Sequence, residues 1–388
     1  MGFRVVDYGL PEEWGSAMNT SLDLNQKPLI VIWEVTQSCD LACCHCRASA
    51  QPRRHPLELS TLQGERLLRD VAELRPPIFI LTGGDPLKRP DIFYLVRRAV
   101  AYDLKPAMTP SATPLLTREA IADLKRAGLS RLAVSLDGST PELHDTFRGI
   151  PGSFARTLEA IYWANQFGLP VQVNTSISRH NVHDLESLAN LLRHFRLVLW
   201  SAFFLVPTGR APIDDLLSAE EVEDSFARLY RLAKEMPFKI KTTEAQHYRR
   251  FVIQQRIKAK GRSTVEIGSD DWEKAIPGLL PINDGKGFIF VSHTGEVCPS
   301  GFLPVTAGNI RKQSLADIYR NSPVLKSLRD TSLLQGKCGD CEFKAICGGS
   351  RARAYAVTGN LFAPDPCCSY IPRRWAEQPA PQLQLEAV

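Results

Sequence analysis

The sequence predicts an α/β protein: an open, partial (β/α)6 barrel of the TIM type, followed by a small cysteine-rich module. Three observations point there. Short, continuous apolar runs alternate with amphipathic segments from about residue 28, the pattern of parallel strands covered by helices. At 388 residues the chain can bury a barrel core and still form a second, smaller domain. All of the ten cysteines but Cys298 fall into two groups, one directly after the first apolar run and one near the C-terminus.

The expected strands are "PLIVIWEVT" (28–36), "PIFILT" (77–82), "KPAMT" (105–109), "RLAVSL" (131–136), "PVQVNTSI" (170–177) and "LVLWSAFFLVP" (197–207). Between them, "STLQGERLLRDVAEL" (60–74) reads as a helix that Ser60 or Thr61 can cap. "SFARTLEAIYWANQFG" (153–168) reads as one that closes on Gly168. Another helix is expected over 219–235. The basic segment "HYRRFVIQQRIKAKGR" (247–262) has two readings, a solvated helix face or a lid that attracts an acidic substrate. "GFIFVSHTGEVCPSG" (287–301) reads as a hairpin turning at Thr294–Gly295. The expected units are an N-terminal extension (1–27), the barrel (28–240), a basic connector (241–286), the cysteine module (287–372) and a disordered Pro/Gln-rich tail (373–388).

A formal charge of +5 is mild for this length and argues against nucleic acid as a partner. The longest apolar stretch, Leu197 to Val206, is about half of what a bilayer needs, so no membrane partner is expected. The opening residues, MGFRVVDYGLPEEWG, have no apolar core and carry acids early. The expected location is the cytoplasm, where thiols stay reduced and free for metal.

"SCDLACCHC" (38–46) spaces Cys39, Cys43 and Cys46 as CxxxCxxC. Three thiolates in one loop fit three corners of a four-iron, four-sulfur cube and leave the fourth iron open to a non-protein ligand. Three packed thiols or a zinc site is the competing reading. The next strand ends in "TGGDPL" (82–87). Gly83 and Gly84 would let backbone carbonyls approach a ligand, and the Asp85 carboxylate could accept from an ammonium. A plain turn is the alternative. The fourth strand ends in "SLDGSTPELHDTFRG" (135–149), where Arg148 offers a planar fork suited to a carboxylate.

Together these motifs resemble the radical SAM superfamily. The resemblance implies that S-adenosylmethionine chelates the open iron and is cleaved by the reduced cluster to a 5′-deoxyadenosyl radical, which abstracts hydrogen from a substrate. It further implies that Gly83, Gly84 and Asp85 (in place of the usual Glu) meet the methionine ammonium, that Ser135 contacts the ribose and that Arg148 pairs with the methionine carboxylate. Cys44, between ligands, is expected to pack, and His144 to be structural. "VPTGRA" (206–211) is expected to hold the adenine through backbone groups, and Ser111 to line the cofactor site. The resemblance names no catalytic protein residue for the step after hydrogen abstraction.

The C-terminal half resembles a reduced SPASM or twitch-like domain. Position 351 is Arg, and no cysteine lies between Cys298 and Cys338, so one of the family's two auxiliary clusters has lost most of its ligands. The resemblance leaves one auxiliary 4Fe-4S cluster on Cys338, Cys341, Cys347 and Cys368, with Cys367 an alternative to Cys368 and Cys298 a remnant. A structural zinc held by four cysteines is the competing reading. "WEVTQSCDLACCHCRA", "PSATPLLT", "FFLVPTGRA" and "CGGSRARAYA" are most similar to the branch that modifies tetrapyrrole side chains in haem pathways. A tetrapyrrole substrate is therefore expected, with radical maturation of a ribosomally made peptide as the alternative. A flavodoxin or ferredoxin is the implied electron donor. A non-catalytic iron–sulfur electron carrier is the reading from another class.

Overall fold

The computed structural model describes residues 23–259, 261 and 280–376. The expected tail beyond 376, most of the N-terminal extension and the stretch 262–279 of the connector lie outside them. Among the described residues, no helix is long and apolar enough to cross a membrane.

All six strands read from the sequence form: β1 (Ile30–Glu34), β2 (Ile78–Thr82), β3 (Pro106–Met108), β4 (Arg131–Ser135), β5 (Val171–Ile177) and β6 (Leu199–Phe204). They lie side by side in sequence order and pair in parallel. Helices α1 (Thr61–Leu74), α2 (Ile92–Ala101), α3 (Arg118–Arg126), α4 (Pro141–Arg148), α5 (Ser153–Gln166) and α6 (Leu185–Leu192) cross back between them, and α7 (Ala219–Glu235) follows β6. Ser60 is the residue that caps α1, within a capping box closed by Gln63. Alternate residues of the strands divide between two environments. Val31, Trp33, Phe79 and Leu81 pack toward the helices, and Ile30, Ile32, Ile78 and Ile80 form a separate inner cluster with Phe288. Each fully buried side chain of this size contributes about 1.5–3 kcal/mol, which is why the two faces fix the register.

The sheet is larger than six strands. β7 (Lys239–Thr243) pairs in parallel with β6 and crosses the expected boundary at 240. The hairpin forms as β8 (Phe288–Val291) and β9 (Glu296–Cys298), with Gly295 at φ +88° in its turn. Yet β8 also pairs in parallel with β1, Ile30 opposite Phe288, so the hairpin and β10 (Gly308–Asn309) extend the barrel sheet to ten strands. The cysteine module thus grows out of the barrel edge. The β1–β8 pairing brings it there.

The basic segment needs a correction. It forms helix α8 (Tyr248–Ala259), in which Tyr248 to Ile253 and Ile257 are buried, so its first half is neither a solvated face nor a lid. Arg250 grips both carboxylate oxygens of Glu223 on α7 at 2.6 Å and lies over the Tyr370 ring. Arg249 donates to the Ile346 carbonyl at 2.9 Å. These arginines bolt the barrel to the cysteine module. Arg250→Ala, which strands Glu223, should lower stability by about 2–4 kcal/mol against wild type in the same metal state. The urea midpoint measures this, and an exposed lid arginine would leave it unchanged.

Candidate active site

Beyond β1 the chain leaves the sheet, and from Thr36 to Ala50 it forms no helix; its only ladder contact is one bridge, Ser38 to Gln51. Its shape is imposed by neighbours. After β2, Gly84 N–H donates to Thr36 O at 2.8 Å and Asp85 N–H to Ser38 O at 2.6 Å. A Cβ on Gly84 would stand 2.5 Å from Ser38 O. The two glycines therefore serve the meeting of two loops, where the sequence suggested the approach of a ligand. After β6, Gly209 (φ +64°) comes so close that a Cβ would lie 2.3 Å from Arg47 O. Next to it, Arg210 donates from its backbone to Cys46 O, from Nε to Cys43 O and from Nη1 to Ala50 O, all within 3.1 Å. "VPTGRA" thus clamps the cysteine loop from behind, and none of its residues lines the cavity where it was expected to hold adenine.

Held this way, Cys39, Cys43 and Cys46 line a single cavity together with Gly83, Gly84, Ser111, Ser135 and Arg148. The sulfurs of Cys39 and Cys46 receive backbone donors, Leu41 N–H at 3.3 Å and Ala50 N–H at 3.4 Å, and Arg148 Nη1 lies 3.9 Å from Cys43 Sγ. Ser111 Oγ lies 3.3 Å from Cys39 Sγ and donates to Gly84 O at 2.8 Å, joining the two loops. Burial pushes the Cys39 and Cys43 thiols up, and Arg148 pulls Cys43 partly back. Cys44 is exposed, with Sγ donating to Phe147 O at 3.5 Å; it is a surface thiol and not packing.

Two of the expected cofactor contacts sit differently from the resemblance. Asp85 is buried behind the cavity. Its carboxylate accepts from Leu87 N–H at 3.1 Å, Ser111 N–H at 3.4 Å and Thr113 Oγ1 at 2.7 Å, so it fastens the loops after β2 and β3. Arg148 faces the cavity, but Nε is committed to Asp137 at 2.6 Å and Nη2 to the same oxygen, Oδ2. Only Nη1 is left for the cavity side. A two-handed grip on a ligand carboxylate would require that pair to open. Asp137 is fully buried and accepts also from Ser176 N–H at 2.8 Å; against the cost of burial, Arg148 holds its carboxyl below the usual range. His144 is structural, as expected: it accepts from Asp137 N–H at 3.0 Å and bonds Ser153 Oγ.

The donor set suits the groups that the motifs imply. Among the described residues, no three His, Cys, Asp or Glu side chains converge tightly enough for a single ion. A cube asks for something different, since each thiolate binds its own iron and the ligands spread around it. His45, between Cys44 and Cys46, lines the same cavity, stacked on Phe147 at 3.8 Å, and its buried Nδ1 has no partner. Burial and Arg148 bring its pKa down to about 3, so the ring is neutral. Sequence reasoning passed over His45, Asp137 and Arg210.

In the C-terminal module, Cys338, Cys341, Cys347 and Cys368 line one small cavity with Arg250, Lys337 and Lys344. Burial pushes Cys341 up to about 12 and raises Cys347 and Cys368, the neighbouring thiols adding to the first two. Deprotonating four crowded thiols calls for a compensating metal charge and nearby cations, and the cations are in place. Cys367 turns away, its Sγ donating to Leu217 O at 3.3 Å. Cys298 is buried in β9 and pushed up to about 12 by burial, away from both cavities.

Two family models match the chain: the radical SAM superfamily over residues 33–192 and an iron–sulfur cluster-binding domain over 283–342. An AdoMet-dependent heme synthase of Methanosarcina barkeri is 39% identical over 349 residues, covering 90% of this chain and 98% of that one. A PqqA peptide cyclase of Rhodopseudomonas palustris is 30% identical over 356 residues, covering 89% and 88%. The fold is similar to that of Streptococcus suis SuiB bound to S-adenosylmethionine, with a TM-score of 0.69 at 16% identity over 89% of this chain and 78% of that one.

Asp85→Ala separates the two roles that this residue was offered. With three donors orphaned, the urea midpoint of the metal-free protein should fall by the equivalent of about 2–4 kcal/mol. A carboxylate that only touched S-adenosylmethionine would weaken its binding at unchanged stability.

Proposed function

The chain belongs to the radical SAM superfamily, and from that premise we propose that it abstracts a hydrogen atom from the side chain of a tetrapyrrole. The family makes it an enzyme that uses S-adenosylmethionine and a four-iron cluster, so the electron-carrier reading falls away. One observation carries the substrate. The cavity that holds Cys39, Cys43 and Cys46 continues without a break along an apolar wall of Ile30, Ile32, Ile78, Ile80, Phe288 and Phe290. A flat, largely apolar ring can lie along that wall with a side chain beside the thiols. The heme-synthase relative, at 39% identity against 30% for the peptide cyclase, favours the same substrate class.

Cys39, Cys43 and Cys46 hold three irons in this reading, and Cys338, Cys341, Cys347 and Cys368 hold the auxiliary cube. When bound, the first cluster supplies the electron that cleaves S-adenosylmethionine to its hydrogen-abstracting group, and the second offers a place for electrons. The rest is done by the chain. Leu41 N–H, Ala50 N–H and Arg148 stabilise thiolate sulfur, as donors to an anion do. Gly83, Gly84, Ser135 and Arg148 form the polar rim for S-adenosylmethionine, with Asp137 fixing the guanidinium and Asp85 fixing the loop from behind. The apolar wall keeps water from a substrate radical. A one-electron donor, such as a flavodoxin or ferredoxin, completes the set of partners.

Anaerobic protein should carry about eight irons, and a Cys39/Cys43/Cys46→Ala triple variant about four, still brown. Each of the three single variants should form no 5′-deoxyadenosine, whereas exposed Cys44→Ala should stay within about threefold of wild type. Adding an iron porphyrin with acidic side chains should raise 5′-deoxyadenosine formation, and an acidic leader-like peptide should not. The reverse pattern would hand the substrate to the peptide-modifying branch. A colourless triple variant holding zinc would overturn the auxiliary cluster.

A further inference from the structure

The corner where α1 meets the β8–β9 hairpin takes no part in that chemistry. Leu57 and Leu62 are 64% and 66% exposed there, more than any other large apolar side chain among the described residues. Leu57 belongs to the strap, residues 51–58, that follows the cysteine loop. Leu62 stands on α1 one turn before Arg66 and two before Arg69, so these three share a helix face. Arg66 and Arg69 line a surface hollow together with Arg311 and Lys312, which follow β10. Arg311 also donates from Nη2 to Leu57 O at 2.8 Å and from Nε to Thr294 O at 3.1 Å. That draws the strap, the hairpin turn and the hollow into one patch.

The hollow is lined by four basic side chains against one acidic one, Asp70, whose carboxylate accepts from Leu315 N–H at 3.4 Å. Exposed leucines beside such a set of cations fit a protein with an acidic face: apolar contact holds it and charge steers it. The location says what kind of protein. Glu58, next to Leu57, turns inward, and its Oε1 accepts from Thr36 Oγ1 at 2.5 Å and from Gln37 N–H at 3.3 Å. Ser38 Oγ donates to Pro52 O at 2.9 Å, and Cys39 N–H donates to Gln51 O at 2.8 Å. The strap is thus laid against the backbone from Thr36 to Cys39. None of Thr36, Gln37, Ser38 and Glu58 lines the substrate cavity. The patch reaches the cysteine loop without crossing it.

We propose that Leu57, Leu62, Arg66, Arg69, Arg311 and Lys312 form the docking surface for an acidic one-electron carrier protein. This rests on reading Cys39, Cys43 and Cys46 as the ligands of the cluster that takes up the electron. The carrier gives up one electron and the cluster behind the strap gains it, with no bond made or broken. Positive charge on the patch speeds encounter with an acidic partner, and the leucines hold it once it has met. Delivery from this side leaves the cavity to S-adenosylmethionine and the substrate.

The test pairs two readouts of the anaerobic holoprotein: calorimetric binding of flavodoxin, and 5′-deoxyadenosine formation driven by reduced flavodoxin or by dithionite. Wild type should bind flavodoxin, and less tightly as salt rises. Arg66→Glu, Arg69→Glu and Lys312→Glu should each weaken binding by about tenfold at low salt and raise the KM for flavodoxin to match. Their dithionite-driven rates should stay within about twofold of wild type. Arg69→Lys should bind as wild type does. So should Arg193→Glu, an equal change of charge at an exposed position just after α6. Absent or salt-independent binding by wild type overturns the patch, as do unchanged binding by the three Glu variants and an equal loss in Arg193→Glu. An equal fall in the dithionite-driven rate also overturns it, because the side chains would then act through the fold. Binding is read without turnover, so a wild type that forms no 5′-deoxyadenosine with dithionite would remove the cluster reading while the calorimetry still judges the patch.

Discussion

Everything at this site depends on backbone packing against backbone around a loop that has almost no regular structure of its own. The stretch from Thr36 to Ala50 is pinned by chain segments that come closer than a side chain would allow. Gly84 meets Ser38, Gly149 meets Ala42 and Gly209 meets Arg47, each where an added Cβ would lie within 2.8 Å of a carbonyl oxygen. The last two glycines also have positive φ, near +70° and +64°, so space and conformation restrict them together. With the loop fixed this way, three thiols can face one cavity. Stiff supports around flexible ligands are what hold a reactive centre in one geometry.

A second layer of electrostatics lies on this frame. Arg148 and Asp137 form a buried pair beside Cys43, so the guanidinium can steady thiolate charge without being drawn fully into the cavity. At the other cysteine set, Arg250 serves two masters: it ties α8 to α7 through Glu223 and stands beside Cys347 and Cys368. The two centres are parts of one framework, since β8 runs parallel to β1 and Asn283 donates to Cys347 O and Gly349 O.

The six parallel strands were legible because a strand covered on both sides must be a continuous apolar run. β7 was not, since "KIKTT" has its lysines where a covered strand shows apolar side chains, and only the tertiary setting gives Lys241 a lumen to face. The arginines of α8 read as solvated for the same reason: a basic run looks alike whether water or Glu223 answers it. The spacing CxxxCxxC singled out Cys39, Cys43 and Cys46, and these three thiols line one cavity. Asp85 was placed on the wrong side of its loop, as its partners Thr113 and Ser111 come from the next strand's loop and leave no trace in "TGGDP". Arg210 escaped notice because its partners are backbone carbonyls more than a hundred residues away.

The account stands on one event, removal of a hydrogen atom from a tetrapyrrole side chain held against the Cys39–Cys43–Cys46 end of the cavity. Its most direct measurement is isotope transfer. A porphyrin substrate deuterated on its side chains is incubated anaerobically with reduced holoprotein and S-adenosylmethionine, and the 5′-deoxyadenosine is weighed by mass spectrometry. The account predicts 5′-deoxyadenosine one mass unit heavier, formed in step with loss of deuterium from the porphyrin. Unlabelled 5′-deoxyadenosine beside an unchanged porphyrin would contradict it.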